Sequence, residues 1–149
     1  MQPLNLPSFE AKLQHDAGKT RIFDVIRRKY VVCTPEEWVR QHVIHFLINH
    51  LAYPKSLFRV ESGVSSSARL QRSDIVVHGR DGRPWLLVEC KSPAERIGTQ
   101  VFHQSLVYNR TLAADFIAVT NGLQHYCFRP APDGTPEFLT GFPGFVESE

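Results

Sequence analysis

The stretch RSDIVVHGRDGRPWLLVECKS, residues 72–92, constrains the fold more than any other part of the chain. Asp81-Gly82 is a strong hairpin signal, because a tight two-residue turn needs residues that tolerate positive φ. With these two residues at its centre, the flanking strands pair Asp74 with Glu89, Val76 with Leu87 and His78 with Trp85 on one face. Ile75, Val77, Leu86 and Val88 fill the other face, which is purely apolar.

Two carboxylates opposite one another, with Cα atoms about 5 Å apart, repel unless something positive sits between them. Glu89 and Lys91 are two residues apart on one strand, so the ammonium falls beside the pair. A divalent cation would reverse the sign of the interaction. Oxygen ligands at this density suit Mg²⁺ or Mn²⁺, with positions left for water and a phosphate. The alternative is a ladder of surface ion pairs in which Arg72 and Lys91 balance Asp74 and Glu89 without metal.

Around the hairpin the pattern predicts one domain over residues 1–149, with a central mixed sheet and helices on its faces. Thr34 as N-cap, Pro35 at the first helical position and acidic Glu36 and Glu37 predict a helix running to about Leu51. Strands are expected over Leu57 to Val64, Ser73 to His78, Trp85 to Cys90, Phe116 to Thr120 and His125 to Arg129, and a second helix from about Ile97 to Leu112. Asn121-Gly122 supplies the turn between the last two strands. Arg21 to Val32 reads as a short strand or extended lead-in, residues 1–20 as a loose head, and residues 130–149 as a Pro/Gly-rich tail. In that tail Phe138, Phe142 and Phe145 are expected to cover a sheet edge.

Several other residues are candidates for chemistry. Glu37 lies on the inward stripe of the first helix and could add a ligand or hold a water, but Thr34-x-x-Glu37 is equally a capping box, with Glu36 as fallback. Gln104 and Tyr108, four apart, share a stripe with Ile97, Val101 and Leu112 that should face the sheet; a glutamine there is either a site residue or a satisfied polar group at the helix margin. His42 and His45 fit solvated or marginally buried histidines better than zinc ligands, and Cys90 points to the apolar face. Arg27, Arg28 and Lys29, with Arg69, Arg72, Arg80 and Arg83, could form a basic rim if the fold brings them near the hairpin.

The chain carries a net charge of only +2, too little to name a nucleic-acid partner by itself, and its three cysteines fit no disulfide frame. With no membrane-length apolar run and no signal-like N-terminus, the expected location is the cytoplasm.

Ser73-Asp74, the hairpin, Glu89-Cys90-Lys91 and then Gln104-x-x-x-Tyr108 together resemble the PD-(D/E)XK nuclease superfamily, in its branch with a Q-x-x-x-Y helix. More narrowly, RRKYVVCTPEEWVRQ with DIVVHGRDGRPWLLVECKSP is similar to the N-terminal nuclease domain of type I restriction enzyme R subunits, over about Arg21 to Arg129. The resemblance implies a restriction-endonuclease-like α/β/α sandwich and Mg²⁺-dependent (or Mn²⁺-dependent) hydrolysis of DNA phosphodiesters. It also implies Asp74 and Glu89 as metal ligands, Lys91 as catalytic lysine, Gln104 and Tyr108 near the DNA backbone, and Glu37 as a helix-borne acid. DNA is the implied partner, with a second copy or a separate motor or specificity subunit beside it. Serine stands where such motifs often carry a proline before Asp74, and the chain has no G-x-x-x-x-G-K-[ST] loop, so it is not expected to be a complete motor subunit. The other reading is a non-catalytic nucleic-acid-binding or assembly module that keeps the scaffold.

Overall fold

A computed structural model describes residues 1–60 and 74–145. The chain opens with β1 (Leu13–Asp16), β2 (Lys19–Asp24) and β3 (Lys29–Val32), an antiparallel sheet of its own. Ala17 and Gly18, both at positive φ, make the tight turn between β1 and β2. The expected loose head is therefore partly strand, and the single lead-in is two strands. Every β1 residue is exposed, so it carries no apolar period to read. The lead-in divides because the Asp24 carboxylate accepts the N–H groups of Ile26 and Arg27, folding the backbone into a turn. Ahead of the strands, Leu4 and Leu6 pack on the main core, and Asn5 N–H donates to Gly122 O at 2.8 Å.

Next comes α1 (Pro35–Asn49), capped by Thr34, whose hydroxyl accepts from Glu37 N–H at 3.0 Å. It ends two residues before Leu51, where Ala52 adopts the left-handed conformation ahead of Pro54. The main sheet follows, in the order β4 (Phe58–Val60), β5 (Ile75–His78), β6 (Pro84–Cys90), β7 (Phe116–Thr120), β8 (His125–Pro130), β9 (Pro136–Phe138). β6 and β7 are parallel and every other neighbouring pair is antiparallel. Parallel neighbours need a crossover, here α2 (Thr99–Leu112). Val39, Val43, Ile44 and Leu47 of α1 cover one face of the sheet, and Phe102 and Leu106 of α2 cover the other. The architecture is the expected α/β/α sandwich on a mixed sheet. The expected strand residues 61–64, the SSSARLQR loop with Arg69 and Arg72, and Ser73 lie outside the described residues.

The hairpin register holds for Ile75–Val88, Val76–Leu87 and Val77–Leu86, then shifts: His78 faces Pro84 rather than Trp85. The cause is the turn. Gly82 N–H donates to Gly79 O, which centres the turn on Arg80-Asp81 and leaves Gly82 at φ +84° as a bulge residue. Trp85 becomes the extra residue in β6, and its ring joins Tyr53 and Phe145 on the α1 side, away from the acidic pair.

The C-terminal segment adds β9 to the sheet edge, and Phe142 and Phe145 pack on the α1-side core, as its aromatic content predicts. Cys33, Cys90 and Cys127 are free thiols; burial pushes that of Cys127 up to about 12, so it has no thiolate character near neutrality. Among the described residues no helix is long and apolar enough to cross a membrane.

One backbone feature gives a stability prediction. α2 ends on Ala113 at φ 60°, a conformation that costs an L-residue about 1 kcal/mol and glycine nothing. Ala113→Gly is expected to raise stability by up to about 1 kcal/mol, read as a higher urea midpoint at unchanged slope.

Candidate active site

Asp74 is the residue before β5, and the Ile75–Val88 pairing carries it opposite Glu89. By alternation along β6, Glu89 shares the sheet face of Leu87, the face that α2 covers. Asp74 and Glu89 are both buried, at 3% and 8% exposure. Lys91, just past the end of β6, is held by its backbone N–H donating to Thr120 O at 2.7 Å. Its ammonium lies 3.9 Å from Glu89 Oε2 and 4.0 Å from Glu95 Oε2. Glu95 is a neighbour that the motif does not announce. The loop that carries it is pinned where Asn121 Nδ2 donates to Glu95 O at 2.9 Å.

Glu37 takes a different place from a metal ligand. Its carboxylate accepts from Arg40 Nε at 2.9 Å, Arg40 Nη2, Gln41 Nε2 at 2.8 Å and Arg27 Nη2 at 3.1 Å. The reciprocal half of a capping box is not made, since Thr34 N–H donates to Val32 O instead. Arg40, only 1% exposed, also reaches Asp74 O at 3.4 Å with Nη1. Arg27 in turn binds Asp24 Oδ2 at 2.7 Å. A chain of alternating charge thus runs from the β2–β3 turn through Asp24, Arg27, Glu37 and Arg40 to the strand bearing Asp74. Burial would raise the Asp24 carboxyl, but hydrogen bonds from the Arg27 side chain and the backbone of Arg27 and Ile26, with the Arg27 charge, hold it below its ordinary 3.8.

The Cys90 thiol is fully buried, and burial, the largest cause, pushes it well above its ordinary value. Its side chain lies in the α1-side core, as predicted. Gln41 gives Nε2 to Glu37, and its buried Oε1 accepts no hydrogen bond among the described residues.

Gln104 does not face the sheet. The inward stripe of α2 is Phe102, Ser105, Leu106 and Asn109, which rotates Gln104 to the exposed side and leaves Val101, Tyr108 and Leu112 at the margin. Asn109, buried on this stripe, satisfies its amide locally: it donates to Ala114 O and accepts from Ala114 N–H just past the helix end. Gln104 and Tyr108 instead line an outer hollow of about 460 Å³ with Gln100, His103, Val107 and Thr111, all on α2.

The basic rim is divided. Arg27 is spent on Asp24 and Glu37, while Arg80 and Arg83 stand at the hairpin tip, about 13 Å or more of strand from Asp74 at roughly 3.3 Å per residue. Arg28 and Lys29 are exposed.

His42 and His45 serve packing. Phe9 stacks on His45 with centroids 4.0 Å apart and meets His42 edge-on, and His42 Nδ1 bonds Trp38 O. Burial lowers both rings below 6.5; His42 lowers His45 further, and Asp24 opposes that. The folded state therefore binds fewer protons than the unfolded chain just below pH 6.5, and stability is expected to fall as pH drops through that value. Urea midpoints at pH 7.5 and 5.5 check this, and His45→Phe should reduce the difference.

An α/β/α sandwich with a hairpin-borne acidic pair and an adjacent lysine defines the class to which the comparisons then give a family. The model of the type I restriction enzyme R protein N terminus (HSDR_N) matches residues 35–143, and the chain belongs to that family. No curated protein and no solved structure matches the chain.

Proposed function

We propose that the protein is a metal-dependent DNA endonuclease of the PD-(D/E)XK type, a restriction-system nuclease domain that hydrolyses phosphodiester bonds. The observation that carries the reading is the placement of Asp74 and Glu89 opposite one another, buried, with the Lys91 ammonium 3.9 Å from Glu89. Mg²⁺ or Mn²⁺ fits this donor set. A cation held by two carboxylates would leave its remaining positions to water and substrate oxygens. The cation would polarise the phosphoryl oxygen and acidify the attacking water.

The protein's own groups do the positioning. Asp74 and Glu89 hold the ion, and Lys91 neutralises charge that develops on the phosphate. Arg40, held by Glu37, fixes the backbone of Asp74 through its carbonyl. Gln41 Oε1 is a buried acceptor available to an ordered water. Gln104 and Tyr108 offer a polar outer wall for the DNA backbone.

Supercoiled plasmid incubated with the protein and Mg²⁺ or Mn²⁺ tests the reading. Nicking that EDTA and Asp74→Ala both abolish supports it; salt-sensitive DNA binding without nicking under either metal supports the non-catalytic module instead.

A further inference from the structure

We infer that the outward face of the N-terminal sheet is a stacking platform for single-stranded DNA, a proposal that rests on the nuclease reading for its ligand. Strands β1 to β3 precede residue 35, so the family match assigns them nothing. Ile22 turns inward and is fully buried, which by alternation turns Arg21 and Phe23 outward with their partners Val32 and Tyr30. Phe23 and Tyr30 sit opposite each other with ring centroids 5.3 Å apart, both only partly buried, and Val32 beside them is 41% exposed. The Lys12 ammonium stands 5.6 Å from the Phe23 centroid.

Charge complementarity selects the occupant. Residues 11–32 carry six lysine or arginine side chains against two aspartates, a net +4, whereas the whole chain is +2. A polyanion that also presents flat apolar surfaces matches paired rings flanked by cations: unstacked bases lie on aromatic rings regardless of sequence, while Lys12 and Arg21 meet the phosphates. Duplex DNA keeps its bases stacked on one another and cannot use the rings. The face is also tied to the hydrolytic centre, because Arg27 joins the β2–β3 turn to Glu37 and Arg40 joins Glu37 to Asp74.

Anisotropy of a fluorescein-labelled oligothymidine, in EDTA so that hydrolysis does not compete, tests the platform. Phe23→Thr with Tyr30→Thr, both strand-forming replacements, should weaken binding by about tenfold or more and leave its salt dependence unchanged. Arg21→Gln with Lys12→Gln should instead reduce the salt slope by about 0.7 per lost contact, and this pair carries the test if the aromatic variant melts early. Unchanged affinity and slope overturn the platform, as does equal loss of blunt duplex binding or a change in gel-filtration volume that marks the face as a self-association surface. Plasmid nicking by the same preparations separates the two readings: nicking with ring-independent binding removes the platform alone, and ring-dependent binding without nicking removes the nuclease alone.

Discussion

Arg40→Met is expected to lower stability by about 3–5 kcal/mol. The guanidinium is almost wholly buried and gives its Nε and Nη2 to Glu37 and its Nη1 to Asp74 O. Removing it leaves the Glu37 carboxylate buried with Arg27 and Gln41 as its donors among the described residues, and desolvation of an under-paired charge dominates the cost. Glu37→Gln with Arg40→Met should cost less than the sum of the two singles, because each single strands a charge that the double does not. Urea titrations of the four proteins check this cycle; additivity would mean that the two side chains do not act as one unit. Because Arg40 also fixes the start of β5, Arg40→Met should depress nicking even at temperatures where the variant remains folded.

Lys91→Ala is expected to reduce plasmid nicking by about a hundredfold or more while moving the melting temperature little. The asymmetry follows from the geometry. At 3.9 and 4.0 Å the ammonium makes only loose pairs with Glu89 and Glu95, worth on the order of 1 kcal/mol or less, so folding loses little. A charge beside a scissile phosphate in a half-buried site acts where negative charge grows during the reaction. Lys91→Arg should not rescue, since a larger planar cation cannot occupy the same point beside Glu89. Single-turnover rates at saturating protein, measured beside melting curves, separate loss of chemistry from loss of fold.

The sequence made the middle of the hairpin legible because a strand's alternation is strict and the hairpin is short: the register inferred from Asp81-Gly82 holds from Ile75–Val88 to Val77–Leu86, and its extension by one residue sets Asp74 opposite Glu89. It fails toward the tip, where Gly82 takes the bulge and Trp85 changes side, because turn type and not turn position sets the last pair. α1 was legible from Thr34-Pro35, two signals that act within one turn of the backbone they cap. The facing of α2 was not. Gln104, Tyr108, Ile97 and Val101 share a stripe, but the helix turns Phe102, Ser105, Leu106 and Asn109 inward instead, and Phe102 and Leu106 bury the larger apolar surface. Arg40 and Glu95 were missed for a related reason: a charged residue reads as surface until its partner, often distant in sequence, is known. β1 was hidden by its exposure, since a strand that buries nothing leaves no period, and β2 buries only Ile22 and Asp24, too few positions to mark one.

The account stands on two carboxylates sharing one hard cation. Crystals of the protein soaked in Mn²⁺ and recorded at the manganese edge measure this directly. A single anomalous peak between Asp74 and Glu89, about 2.0–2.3 Å from an oxygen of each and absent in Asp74→Ala crystals, is the predicted result. Manganese bound elsewhere, or to one of the two carboxylates with the other still turned to Lys91, would contradict it.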